Sequence, residues 1–159
     1  MAVGAAHAAE ADRSPVDLAL GPGDAWLVTA NQTSDSLSLV RTADGVVLHE
    51  VAAGQHPTAV VVAPDGNTVL ASARDSGEVR LFQVVDGQRL LPLRTIDVGF
   101  QPHGVAVTAD GKTAYVALAA AAQVARCDLE TGVVVERIAT GKWPRYLALS
   151  PDGARLAVG

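Results

Sequence analysis

Residues Gln55 to Ala73 read QHPTAVVVAPDGNTVLASA, and the fold follows from how this stretch is built. A proline leads into an apolar run, Ala59 to Ala63. Pro64-Asp65-Gly66 then supplies a turn, and a second apolar run returns to Ala73. Two short apolar runs about a tight turn make an antiparallel strand pair. The pattern recurs at Gln101 to Ala117, QPHGVAVTADGKTAYVA, and at Trp143 to Val158, WPRYLALSPDGARLAV. A looser copy opens at Ser14 to Ala30, SPVDLALGPGDAWLVTA. Counted on Asp24, Asp65, Asp110 and Asp152, the copies stand 41, 45 and 42 residues apart. A period of that length filled with short strands marks a β-propeller blade.

Each of the first three copies divides into four strands, and the fourth stops after its second. The first predicts Val16–Leu20, Trp26–Ala30, Leu37–Arg41 and Val46–Val51, with turns at Gly21–Asp24 and Asp44-Gly45. The second predicts Ala59–Ala63, Thr68–Ala73, Val79–Val84 and Arg89–Val98, where Pro92 is tolerable because an outer strand can spare an N–H. The third predicts Gly104–Thr108, Thr113–Leu118, Gln123–Asp128 and Val133–Ala139. Its second and third strands are joined by Ala119 to Ala122, too short for a helix and read as a tight connection. The expected organisation is a leader over 1–13, blades over 14–54, 55–99 and 100–141, and a partial blade over 142–159. The fold class is therefore all-β: about three and a half four-stranded blades of an incomplete, seven-bladed ring. Because a blade needs neighbours on both faces, the remaining blades of the same protein, or another copy of it, are expected to close that ring.

The repeat unit resembles that of the YVTN family of β-propellers, through Gly99, Pro102, Val105, Ala106, Val107, Asp110, Gly111, Tyr115, Val116 and Ala117, with Leu129 to Gly132 as the last turn. The resemblance runs from Val16 to Gly159. It departs after the second strand, where Asn31 appears in the first copy only and Arg74 and Leu118 stand at or near that place. These motif residues are turn and packing residues, so the resemblance implies the repeat and no activity. It implies a bacterial surface or periplasmic setting, and related propellers occur as lactonases and as partners of haem-containing redox domains.

Composition narrows the function. The 159 residues are 49% hydrophobic and 4% aromatic, with a formal net charge of -5 and no block of like charge. A nucleic-acid-binding surface would need a basic stripe, so none is predicted. No apolar run is long enough for a transmembrane helix. The first residues, MAVGAAHAAEADRS, carry small-x-small sites at Ala6-His7-Ala8 and Ala9-Glu10-Ala11 but lack a basic start and a long apolar stretch. They read as the remnant of an export signal or as a disordered leader. Cys127 is the single cysteine, which excludes an internal disulfide and a cysteine-based zinc site. Its place in the alternating VARCDLE predicts a buried structural thiol, with Arg126 on the opposite face.

Candidate ligand residues lie in the loops that lead into each innermost strand: His56 and Thr58, Gln101 and His103, Trp143 and Arg145, with Gln55 alongside. Equivalent loops meet around one axis, so this set forms a possible channel mouth. His56 and His103 fit hydrogen bonds to a neighbouring blade or to water. A shared metal fits them less well, since one precedes its proline and the other follows. Arg145 suits an anionic ligand or a blade-to-blade salt bridge. Trp143 suits stacking on a ligand or capping of the channel. Asp65, Asp110 and Asp152 read as turn residues bonding nearby backbone amides. No GxSxG, HExxH, phosphate loop, calcium loop or CxxCH is present. The expectation is a non-catalytic scaffold in an exported bacterial protein, binding a small molecule or protein and needing no cofactor within this chain. The alternatives are the propeller part of a c-type-haem redox protein and, third, a propeller-type lactonase.

Overall fold

A computed structural model describes residues 12–159. They form three four-stranded antiparallel sheets and one strand pair, the blades of a β-propeller. Blade 1 contains β1 (Pro15–Leu20), β2 (Trp26–Asn31), β3 (Ser36–Arg41) and β4 (Val47–Ala52) in that spatial order. Blade 2 contains β5 (Pro57–Val62), β6 (Thr68–Ala73), β7 (Glu78–Val85) and β8 (Arg89–Asp97). Blade 3 contains β9 (Pro102–Val107), β10 (Thr113–Leu118), β11 (Gln123–Asp128) and β12 (Val133–Ala139). The strands β13 (Leu147–Leu149) and β14 (Leu156–Val158) follow as a pair. Of the expected leader over 1–13, residues 1–11 lie outside the described residues. The guanidinium of Arg13, just beyond them, reaches Glu50 on β4 at 2.9 Å.

Strand alternation decides which side chains become core. On blade 2, Val69, Ala71, Phe82, Val84 and Leu90 pack with Val28, Ala30, Leu37 and Leu39 of blade 1. The opposite face of the same sheet sends Leu70, Val79, Leu81 and Ile96 against Val105, Val116, Leu118 and Cys127 of blade 3. Blade 2 is thus buried on both faces, and its neighbours supply both halves of its core.

The turns explain themselves from side chains. Asp65 accepts the amides of Asn67 and Thr68 at 2.9 and 2.8 Å, and Asp110 accepts that of Lys112 at 3.0 Å. Asp152 does the same for Ala154 at 3.0 Å. Asp24 does not belong with them. It ends a single 3-10 turn, Pro22–Asp24, and takes φ +54° itself. The register is kept instead by Pro15, Pro57, Pro102 and Pro144, at steps of 42, 45 and 42 residues. The first three pair with Asn31, Ala73 and Leu118, so Ala73 rather than Arg74 stands at the place of Asn31. The four-alanine connection is a tight turn. Its last residue, Ala122, holds φ +51° where the equivalent turns place Asp35 at +54° and Gly77 at +71°.

Candidate functional site

The inner strands β1, β5, β9 and β13 are entered by one unusual device. The residue before each proline takes a left-handed conformation: Ser14 φ +44°, His56 +58°, Gln101 +56° and Trp143 +60°. Side chains other than glycine are uncommon there, and each such residue stores strain that its surroundings must hold. A backbone bond does the holding. The carbonyls of Ser14, His56 and Gln101 accept the amides of Gln32, Arg74 and Ala119 at 3.1, 3.0 and 3.1 Å, just past the second strand. The kink has a consequence one residue later. Register shifts between Pro15 and Asp17, and between Pro57 and Ala59, make Val16 and Thr58 the extra residues of β-bulges. In blade 3 the corresponding shift spans Pro102 to Val105 and so includes His103. A bulge re-aims a side chain, and here it turns the residue after Pro15, Pro57 and Pro102 inward.

The result divides the six predicted residues in two. Thr58, His103 and Arg145 line one groove of about 490 Å³, with Val16, Asp17, Gln32 and Tyr146. His56, Gln101 and Trp143, which precede their prolines, do not line it. The His56 ring turns to Asp75 of its own blade at 3.3 Å, and its backbone N–H donates to Asp35 Oδ1 of blade 1 at 2.7 Å. Trp143 stays 59% exposed, so it does not cap the groove. Asp17, Gln32 and Tyr146 were missed by sequence reasoning. The signal lay in the proline register, which puts Asp17 and Tyr146 two places after their prolines.

Thr58 and Ser72 stitch the wall of the groove. The Thr58 hydroxyl donates to the Pro102 carbonyl at 3.0 Å, and the Ser72 hydroxyl to the His103 carbonyl at 2.5 Å. Asp17 is also occupied, its carboxylate accepting the Val60 amide at 2.9 Å. Burial, then the charges of Arg145 and Arg74, hold the His103 imidazole below its ordinary range. Among the described residues no carboxylate comes within ion-pairing distance of Arg145. The groove therefore presents the His103 imidazole, whose charged form is disfavoured, beside a guanidinium that forms no ion pair. Among the described residues no cluster of His, Cys, Asp and Glu is placed to hold a metal ion.

With this geometry in hand, comparison with known proteins gives the family. The profile of the choice-of-anchor I domain matches residues 18–131. The chain belongs to the choice-of-anchor I domain family. No curated protein matched its sequence. Among solved structures, this choice-of-anchor I domain is similar to Kuenenia stuttgartiensis hydrazine synthase, with TM-score 0.85 and 26% identity over 99% of this chain and 45% of that one. It is similar also to a functionally unknown protein from Desulfotomaculum acetoxidans, with TM-score 0.81 and 18% identity over 91% of this chain and 48% of the other. A candidate 6-phosphogluconolactonase from Bacteroides fragilis gives TM-score 0.74 and 23% identity over 83% and 41%. The domain thus spans less than half the length of each of these structures. No helix among the described residues is long and apolar enough to cross a membrane.

Proposed function

We propose that this choice-of-anchor I domain is a non-catalytic scaffold of an exported protein that binds a small anion in the groove of Thr58, His103 and Arg145. One observation carries the reading: three successive blades aim their post-proline side chains into one groove, where Arg145 brings a charge that forms no ion pair and the lining carboxylate, Asp17, is taken up by the Val60 amide. A guanidinium offers a fork of donors matched to a carboxylate or phosphate. Burial and the nearby arginines disfavour the charged His103 imidazole, and a bound anion favours it, so binding tightens as pH falls. Export is supported by the family, whose description speaks of an anchor, and by the likeness of the repeat to YVTN proteins.

The test is calorimetric titration of the chain with phosphate, sulfate and small mono- and dicarboxylates. Arg145→Ala should weaken the best of them about 10- to 100-fold, the loss expected for a hydrogen bond to a charged group. Arg145→Ala with His103→Ala should remove binding, and Trp143→Ala should leave it unchanged. Equal affinity in the double variant sinks the reading.

A second reading has support of its own. Likeness to hydrazine synthase over 99% of the chain at 26% identity favours a role as the propeller part of a larger redox enzyme whose haem lies elsewhere. Absorbance of the gene product purified from its native source decides this, and a spectrum without a haem band removes it. The likeness to candidate lactonases, at 23% identity, speaks for the fold alone.

A further inference from the structure

The far ends of the inner strands hold a second groove, larger than the first and remote from it. It has a volume of about 650 Å³ and lies where the β5–β6 turn of blade 2 meets the β9–β10 and β11–β12 turns of blade 3. Ala63, Leu81 and Leu129 give it an apolar floor, and at its rim stand Leu93, the cations Arg94 and Lys112, and the carboxylates Asp65, Asp110 and Glu130.

The repeat itself shows what such a groove holds. At the seam between blades 1 and 2 the same place is filled. Trp26, the counterpart of Thr68, lays its ring over Gly21 so closely that a Cβ there would fall 2.2 Å from it. The ring reaches Gly87 of blade 2, whose Cβ would lie 3.5 Å away, and Pro22 closes on Gly66 in the same manner at 2.5 Å. Trp26 is 7% exposed. At the seam between blades 2 and 3 each of these contacts is missing. Thr68 replaces the tryptophan and turns its hydroxyl to Asp65 at 2.6 Å. Gly111, the counterpart of Gly66, has nothing within 4 Å of a Cβ. Gly132, the counterpart of Gly87, is covered by Arg94 instead, whose Nη1 donates to the Thr131 carbonyl at 2.7 Å. Arg94 thereby builds a wall and leaves the floor open.

We propose that the groove between blades 2 and 3 binds a planar aromatic molecule the size of indole, in the space that Trp26 fills between blades 1 and 2. The apolar floor takes the ring, as it takes any flat hydrocarbon face. Arg94 and Lys112 at the rim favour an aromatic ring over a saturated one of equal size through attraction to the π face, the carboxylates of Asp65 and Asp110 being occupied by the backbone amides of their own turns.

The probe is indole, titrated into the full chain and followed by ligand-observed NMR and calorimetry, with cyclohexanol as the saturated control. Indole should bind saturably, and at least about 3-fold tighter than cyclohexanol. The variant A63G/T68W copies Gly21 and Trp26 and should reduce indole affinity more than 10-fold while raising Tm. Leu93→Asp, at a rim position 53% exposed, tests the site without disturbing the core and should weaken indole several-fold. Arg145→Ala, in the other groove, should have no effect. Absence of saturation up to the solubility of indole overturns the proposal, and so does unchanged affinity in both A63G/T68W and Leu93→Asp.

Discussion

His103 is held neutral by burial first and by Arg145 and Arg74 after, so its pKa in the folded chain lies below the ordinary value of 6.5. The unfolded chain therefore takes up the proton first as pH falls. Stability from this residue is complete above about 6.5 and declines in the window beneath. Urea midpoints should fall between pH 7.5 and 5.5, and His103→Gln should flatten that slope; an identical slope in the variant argues against the assignment. Two glycines act for different reasons. Gly111 holds φ +70° with open space around it, so Gly111→Val is opposed by backbone strain alone, about 1–2 kcal/mol. Gly104 donates its amide to the Arg145 carbonyl at 2.8 Å, and a Cβ there would meet that same oxygen at 2.5 Å. Gly104→Val should force β9 and the segment at Arg145 apart and displace an arm of the groove proposed to bind an anion. Thermal melts separate the two: Gly111→Val lowers Tm and keeps anion binding, whereas Gly104→Val loses both.

Among the elements, β2, β3 and β4 of blade 1 divide their faces by chemistry. The face toward blade 2 is apolar. The opposite face carries a network in which Asn31 Nδ2 donates to Ser36 and Ser38 at 3.0 and 2.8 Å, and Thr29 donates to Asn31 Oδ1 at 2.9 Å. Ser36 passes a bond to Glu50 at 2.6 Å, and that bond, with Arg13 beyond it, holds the Glu50 carboxylate below its ordinary range. Asn31 is 1% exposed, so its loss leaves buried hydroxyls without their donor. Asn31→Ala should reduce stability by about 1–3 kcal/mol in chemical denaturation, and a change of a few tenths would count against the network. The elements were also the most legible part of the sequence. Short apolar runs and the turns between them placed the strands of the three complete blades, since both signals are local. Asp24 misled because it resembles the turn aspartates in sequence spacing, while the chain there closes through the 3-10 turn at Pro22 and leaves that carboxylate without the amides that Asp65 receives.

Among the described residues, blade 2 is the sheet with a complete four-stranded blade against each face. Its β6 and β7 amides should be the slowest to exchange with deuterium, and faster exchange there than in blade 1 would contradict this packing. Cys127 offers a second probe. It is 1% exposed, and burial pushes its thiol up to about 11, with Arg137 pulling weakly the other way. Iodoacetamide at pH 8 should leave it unmodified until the chain unfolds; rapid labelling of the folded chain would mean that the seam between blades 2 and 3 opens. The thiol is structural by position, and Arg126 next to it turns away to Glu136 at 3.0 Å.

Taken by itself, the sequence determined the repeat, the strands, the turns and the blade as their unit, because alternation, Pro-Asp-Gly turns and a steady period are local features that packing reinforces. It also marked the loops in which the candidate site lies. Only the tertiary structure decided which of those loop residues meet. Left-handed residues before the prolines and bulges after them rotate Thr58 and His103 inward, with Arg145 beside them, and leave His56, Gln101 and Trp143 outside. That rotation depends on carbonyl–amide bonds between positions up to 18 residues apart, as from Ser14 to Gln32 and from Gln101 to Ala119. Tertiary packing likewise decided that one seam is filled by Trp26 and the next stands open, since what fills a seam belongs to two blades at once.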